Sequence, residues 1–444
     1  ERVIKLITRE KNPLDVDRLL IVTFTRAAAA EMRERIQAAV NKLLEDDPYN
    51  AHLLAQRQLL YSANISTIDS FCGDIVREYF HTLNVARDFR IADEGELEIL
   101  RQEALDNTFE SFYDSEDDCF YSLLDIFKGK QGDQKLRETV LKISKFLTTQ
   151  PFPNKWLDDM LENYSETDIE KTVWGKIIID YALSAVLHGI NLTENSILRL
   201  KDDEKLQDAV EPLLVGDLAY FTLVQLKFVS SSWDEIRQAI FSFETGRMKS
   251  PKGYKDNPIK ISVSSNRDEV KETVKKLQSL FFWSEEDARL ELSQLHRFIS
   301  TLFTLVRAYD KKLSELKAKK NILSFADIES LTVKLLAKPD DDNGYTKTVQ
   351  AQEISNRFDA VMVDEFQDVN DVQDLIFKSV SNDESNLFVV GDVKQSIYGF
   401  RQAKPEIFIE RKNEYKRFNE ENPEYPATII LDRNFRSRFE VCDA

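Results

Sequence analysis

The sequence predicts an α/β fold whose parallel sheet is interrupted along the chain by a large, mostly α-helical insertion. Three observations carry that expectation. Short apolar, β-branched runs that end in polar turns occur near the start of the chain and again beyond residue 359, and such runs read as strands buried on both faces of a parallel sheet. Between about residues 94 and 320 this alternation gives way to long amphipathic segments. With only 12 Gly and 11 Pro among 444 residues, turn formers are scarce and an all-β chain is disfavoured.

The elements follow in order. Leu19-Leu20-Ile21-Val22-Thr23-Phe24 reads as the first strand, and Thr25-Arg26 leads into Ala27 to Val40, rich in strong helix formers. Ile65-Ser66-Thr67-Ile68 reads as a second strand, with Asp69-Ser70 starting a helix that reaches about Phe80. The helical middle is broken by polar stretches at Asp114–Asp118, Lys249–Asn257 and Ser264–Arg267, which read as loops. It closes on a heptad seam of Leu292, Leu295, Ile299, Leu302, Val306, Tyr309, Leu313 and Leu316, an apolar stripe along one long helix. That stripe fits packing inside its own domain or a coiled coil with a partner. Strands return at Ala360–Val363, Leu387–Val390 and Thr428–Leu431, each running into a polar turn. The implied segments are 1–93 and 321–425 for the split α/β domain, 94–320 for the insertion, and 426–444 for the start of a second α/β domain.

Composition bounds the function. Against 60 Lys and Arg stand 78 Asp and Glu, a net charge of −18. That acidity speaks against nucleic acid only as a global sum, because phosphate contact is a local matter. Residues 1–40 carry 8 basic and 6 acidic side chains, and residues 391–444 carry 10 of each, so the acidity lies mostly between them. The three cysteines, Cys72, Cys119 and Cys442, show no disulfide framework or metal-site spacing. A reducing, cytoplasmic setting is expected. No apolar run is expected to cross a membrane, and no membrane partner is expected. The chain opens Glu-Arg-Val-Ile without Met, so a natural start is not expected there.

The chemistry gathers where the strands end. Asp364-Glu365 follow Val361-Met362-Val363 directly, with Gln367-Asp368 behind them. Two adjacent carboxylates at a strand end suit one Mg²⁺ ligand beside nucleotide phosphates and one base for the attacking water. Further polar strings stand after the other strands: Gly391-Asp392-Val393-Lys394-Gln395-Ser396-Ile397-Tyr398-Gly399-Phe400-Arg401, Asp432-Arg433-Asn434-Phe435-Arg436-Ser437, Thr25-Arg26-Ala27 and Ser66-Thr67-Ile68-Asp69-Ser70-Phe71.

Val363–Asp368 resembles the Walker B motif of superfamily 1 helicases of the UvrD/PcrA/RecB type. In the same way Val389–Arg401 is similar to motif III of that group, Leu431–Ser437 to motif IV, Val22–Met32 to motif Ia and Ser66–Phe71 to motif Ib. The strings Phe89–Glu94, Pro151–Leu157 and Asp392–Tyr398 together resemble the AddA (RexA) family, the helicase-bearing half of the bacterial AddAB (RexAB) helicase-nucleases. The resemblance implies a RecA-like motor domain interrupted by a helical domain, ATP and Mg²⁺ as cofactors, 3′–5′ movement on DNA, and a nuclease elsewhere in the same protein. It implies single- and double-stranded DNA and a B subunit (AddB/RexB) as partners, and double-strand-break processing for recombinational repair as the role.

Carried residue by residue, the resemblance makes Asp364 the Mg²⁺ ligand, Glu365 the activator of water, Gln395 the γ-phosphate sensor and Arg436 a positive charge on that phosphate. Phe435 would pack on adenine, and Arg2 would lie near the nucleotide. Phe24, Tyr398 and Phe400 would stack on bases, and Arg26, Thr67 and Arg401 would face DNA. Phe400 stands where many relatives carry Trp, and Asp69 where many carry His. Taken singly, Phe24 and Phe400 also suit a core and Arg436 a surface ion pair. Ser324-Phe325-Ala326-Asp327 resembles a further family motif and equally suits a helix cap.

No Gly-x-x-x-x-Gly-Lys-[Ser/Thr] phosphate loop occurs; Gly129-Lys130 and Gly175-Lys176 lack both the upstream Gly and the downstream hydroxyl. These residues alone are therefore expected to be inactive as an ATPase. Two other classes remain open on the residues: a DNA-binding or assembly module with a non-functional motor remnant, and a metal-dependent nuclease using Asp364, Glu365 and Asp368.

Overall fold

A computed structural model describes residues 1–128, 132–342, 344–397, 399 and 402–431. The chain forms two compact units, one of residues 1–117, 127–156 and 305–444, the other of residues 118–126 and 157–304.

The first unit is built on a four-stranded parallel sheet in the order Asn64–Thr67, Leu19–Thr23, Ala360–Val363, Leu387–Val389. Side chains alternate between the faces of a strand, and both faces here are covered. Leu19, Ile21, Ile65 and Met362 pack on one side with the helices Arg2–Thr8, Arg26–Asp46 and Ala51–Leu59. Leu20, Val22, Val361 and Val363 pack on the other, with Ile68–Glu78, Phe325–Leu336, Val349–Ser355 and Asp371–Val380. Burial on both faces explains why these strands read as continuous apolar runs.

Two residues 341 apart in sequence mark the register. Arg18 and Asp359 each stand directly before a central strand, and their side chains meet in two hydrogen bonds of 2.6 Å while the Asp359 N–H donates to the Arg18 carbonyl at 2.8 Å. A second parallel pair, Arg90–Ile91 with Ile322–Leu323, ties together the two ends of the long intervening segment. The Ser324–Asp327 string forms a capping box at the start of Phe325–Leu336, so the cap expected of Ser324 is present.

The second unit is helical. Val173–Leu200, Glu204–Ser230, Trp233–Phe241 and Pro258–Leu280 enclose a core around Phe221, Trp233 and Phe281, with Trp233 stacked on Phe281 at 4.2 Å. Each wholly buried aromatic or aliphatic side chain of this kind contributes about 1.5–3 kcal/mol. Gly189 admits the Phe221 ring, for a Cβ there would lie 2.6 Å from it.

Three expectations are corrected. Ser264–Arg267, read as a loop, lies inside the helix Pro258–Leu280. Its last residue answers to the interior: Arg267 is buried, bonded to Asp217 at 2.7 Å and to the Gly246 carbonyl at 2.7 Å. Of the strand expected at Thr428–Leu431, only Thr428 pairs, in a two-residue strand Ala427–Thr428 beside Lys416–Arg417. Ile429, Ile430 and Leu431 are exposed and find no sheet partner among the described residues. Finally, Val173–Leu200 and Glu204–Ser230 are long and apolar enough, by length and composition, to cross a membrane. Part of that apolar character serves the bundle core, through Ala182, Val186, Phe221 and Val224, while Ile177, Leu198, Leu226 and Val229 stay exposed. The heptad residues lie on the 35-residue helix Glu285–Lys319, with Leu292, Leu302, Val306, Tyr309 and Leu316 buried and Leu295 exposed.

Asp217→Ala leaves the Arg267 guanidinium buried without its carboxylate, and such losses cost about 3–5 kcal/mol. Chemical denaturation of the variant is expected to show a loss of that size. A change below about 1 kcal/mol would mean that the pair does not organise this core.

Candidate active site

In an open parallel sheet, ligands bind at the carboxyl ends of the strands. Four of the site residues expected from the sequence stand after two of those ends: Phe24 and Arg26 after the first strand of the chain, Asp364 and Glu365 after Ala360–Val363. Thr67 is the last residue of its strand. Gln395 ends the short turn Val393–Gln395 that follows Leu387–Val389.

Asp364 is seated by its backbone, whose N–H donates to the Val22 carbonyl at 3.0 Å. Its carboxylate accepts from the Glu365 N–H at 3.1 Å, and burial raises its pKa above the ordinary carboxylate value against that bond. Glu365 is exposed and sits at φ 53°, ψ 41°, a left-handed conformation uncommon outside Gly, Asn and Asp and often associated with functional strain. The twist turns the chain sharply, so Phe366 plunges into the core while Glu365 faces out. Phe366 is wholly buried beside Phe377 and Phe408, with the Arg411 guanidinium 5.4 Å from its ring centre. Arg411 is fixed in turn by Asp374 at 2.8 Å and by Glu384.

Gln367, only 1% exposed, spans the space between two loops. Its Nε2 donates to Glu365 Oε2 at 2.8 Å and approaches Asp368 Oδ2 at 3.3 Å, and its Oε1 accepts from the Asp392 N–H at 2.9 Å. Asp392 then accepts from the Lys394 N–H and from Gln395 Nε2, both at 3.0 Å, and the Gln395 bond is the main reason its pKa is lowered. Glu365 and Gln395 are thus linked by hydrogen bonds to Gln367 and to the backbone and side chain of Asp392.

The other expected residues take various positions. Thr25 caps the helix that Arg26 begins, Arg26 is exposed, and Phe24 is half-buried. Thr67 is buried, and its hydroxyl accepts from the Ser70 N–H at 3.3 Å as a helix cap. Arg2 lies against one face of the sheet, 4.0 Å over the Phe388 ring. Tyr398, Phe400, Arg401, Phe435 and Arg436 lie outside the described residues.

A magnesium ion commonly uses one or two carboxylates and completes its shell with phosphate oxygens and water. Asp364 fits that demand: its Oδ1 already takes the Glu365 N–H, its partial burial disfavours an unbalanced negative charge, and it stands at the strand end. Among the described residues no three side chains of His, Cys, Asp or Glu converge as a ready-made metal cage. Asp368 is turned elsewhere, buried against Gln367 and Ser396.

Residues 1–416 match the family described as the UvrD/REP helicase N-terminal domain. The chain belongs to the UvrD/REP helicase family. It is also similar to proteins named as the A subunit of an ATP-dependent helicase/nuclease. In Clostridioides difficile strain 630 the identity is 36% over 457 residues, covering 100% of this chain and 35% of that protein. In Clostridium beijerinckii it is 37% over 456 residues, covering 100% and 36%, and in Bacillus cereus strain AH820 37% over 452 residues, covering 99% and 36%. The chain thus spans about a third of the length of the curated relatives it matches.

Within this UvrD/REP helicase domain, two residues behind the carboxylate edge escape sequence reasoning. Gln367 is visible in the motif string but its two-sided bonding is not. Glu329 gives no sequence signal at all. It is buried between the helices Phe325–Leu336, Ile68–Glu78 and Asp371–Val380, accepts from Gln373 Nε2 at 2.7 Å, and is pushed up to about 7 chiefly by burial, with Asp69 adding to the rise. Cys72 is buried in the same core, and its thiol pKa is raised too.

Because the folded-state pKa of Glu329 exceeds its ordinary 4.5, the folded protein binds the extra proton between those values. Stability from this group is present below about pH 4.5 and lost as pH rises through about 7. Glu329→Gln is expected to remove a loss on the order of 2–3 kcal/mol between about pH 5 and pH 8, read from denaturation midpoints at the two pH values. Equal pH dependence in both proteins would refute the assignment.

Proposed function

We propose that this chain is the nucleotide-hydrolysing and DNA-tracking part of a 3′–5′ DNA helicase subunit in a helicase-nuclease complex. The observation that carries the reading is the strand-end pair Asp364-Glu365, with Glu365 held left-handed and bonded through Gln367 to the loop that bears Gln395. Family membership and the names of the relatives support it. In this reading residues 94–320 form the insertion of a RecA-like motor domain made of 1–93 and 321–425, and 426–444 begin a second motor domain.

The chemistry assigned to each residue follows from phosphoryl transfer, where placement and charge neutralisation do most of the work. Asp364 would hold Mg²⁺, which when bound supplies positive charge against the phosphate oxygens. Glu365 takes a proton from the attacking water as its oxygen bonds to the γ-phosphorus and the bond to the departing ADP oxygen breaks. Gln395 and Arg436 face the γ-phosphate, Phe435 packs on adenine, and Arg2 lies in the wider neighbourhood. Phe24, Tyr398 and Phe400 stack on bases of single-stranded DNA, with Arg26, Thr67 and Arg401 along its backbone. The whole protein, in the same proposal, works in the cytoplasm with a B subunit (AddB/RexB) on double-strand breaks, engages single- and double-stranded DNA, and carries its nuclease outside these residues.

In a polypeptide that also carries a phosphate loop, Glu365→Gln is expected to lower DNA-stimulated ATP hydrolysis by at least about 100-fold, the scale of a lost general base, while ATP affinity stays within a few-fold. Retention of more than half the wild-type rate would sink the motor reading. The 444 residues alone, which contain no phosphate loop, are expected to show no DNA-stimulated hydrolysis above a Glu365→Ala control.

A further inference from the structure

Resting on that reading, we infer that Gln367 is a positioning residue that couples the Glu365 carboxylate to the loop bearing Gln395, so that the water-activating group is aligned only when that loop is in place. A primary amide suits this task because it donates and accepts at once. A carboxylate cannot donate to Glu365, and a lysine cannot accept from a backbone N–H. Here both halves of the amide are engaged, at 2.8 Å to Glu365 Oε2 and 2.9 Å from the Asp392 N–H. Gln367 itself is 1% exposed, so water has little access to the amide, although Glu365 and Asp392 are exposed.

The surroundings leave the amide little freedom. Gly391 makes the close approach feasible: a Cβ there would fall 2.6 Å from Gln367 Oε1 and 3.1 Å from the Gln367 nitrogen. The Gln367 backbone is set between Phe366, anchored in the core, and the buried Asp368. Across the gap, the same Asp392 whose N–H the amide receives holds Gln395 through its carboxylate at 3.0 Å. A displacement of the Gln395 loop therefore pulls on the amide, and the amide on Glu365. In the proposed motor that loop continues directly into the DNA-facing string, so DNA engagement has a short covalent and hydrogen-bonded route to the water-activating carboxylate.

The test compares Gln367→Ala, Gln367→Glu and Glu365→Gln in the full-length protein, with ATP hydrolysis followed with and without single-stranded DNA. Gln367→Glu keeps an acceptor for the Asp392 N–H and loses the donor to Glu365, and it retains the side-chain length if Gln367→Ala fails to fold. Both Gln367 variants are expected to lower DNA-stimulated kcat by about tenfold or more, leave KM for ATP within about twofold, and reduce the stimulation by DNA. In the Glu365→Gln background, adding Gln367→Glu is expected to change kcat by less than about twofold, because a residue acting through Glu365 has nothing left to align. Full multiplication of the two losses, or an unchanged stimulation ratio in Gln367→Glu, would overturn the inference and leave the motor reading standing. A near-normal kcat in Glu365→Gln itself would remove both.

Discussion

Everything at the carboxylate edge depends on one register, that of Leu19–Thr23 against Ala360–Val363. Pairing Val22 with Val363 puts the Asp364 N–H on the Val22 carbonyl. A slip of one residue would exchange the faces of the whole strand, moving Val361 and Val363 from one core to the other and Asp364 off its seat. The Arg18–Asp359 fork closes the opposite end of the same pair. Both partners are partly exposed, at 43% and 32%, so the fork adds alignment more than stability; the apolar strands supply the driving force. Joining segments that far apart in sequence carries a large loop-closure entropy, and the Arg90–Ile91 pairing with Ile322–Leu323 draws the ends of the long intervening segment together.

Given that register, the chemistry is a matter of where the chain goes next. After Val363 it makes two placements that conflict: Phe366 reaches the core, and the Glu365 carboxylate faces outward. The left-handed turn at Glu365 resolves them within two residues. Such a conformation costs about 1–3 kcal/mol, and the burial of Phe366 beneath Arg411, Phe377 and Phe408 supplies the opposing stabilisation.

How much of this is legible in the sequence follows from the range of the forces involved. Ala360–Val363 is readable to the residue because a strand buried on both faces needs an unbroken apolar run. The Ser324 cap is legible because its partner is three residues away. Ser264–Arg267 misleads for the opposite reason: four polar residues look like a loop until Asp217, fifty positions upstream, is seen to accept Arg267 into the core. Thr428–Leu431 has strand-like composition, yet a strand is defined by its neighbour, and only Thr428 has one among the described residues. At the site, the residue types and the order of the motifs are readable. The positive φ of Glu365, the two-sided bonding of Gln367 and the burial of Glu329 are not, since each arises from contacts between segments remote in sequence.

The fold also sets the local charge that so acidic a chain presents at its strand ends. Salt screens charges over about 8 Å, so most of the net −18 is not felt at the strand ends. What is felt there is local. In a parallel sheet each helix that follows a strand starts at the carboxyl edge, and a helix N-terminus carries about half a positive charge. The helices Arg26–Asp46 and Ile68–Glu78 both begin there, capped by Thr25 and Thr67. The first adds the exposed Arg26 and has no acidic residue in its first turn; the second carries Asp69 in its first turn, which offsets its own dipole. Of these two helix starts, the one beside Arg26 is therefore less repulsive to an anion than the one beside Asp69, while the carboxylates Asp364 and Glu365 stand at the same edge after the central strand. That unevenness follows from backbone direction and a few side chains, and no sum over the composition contains it.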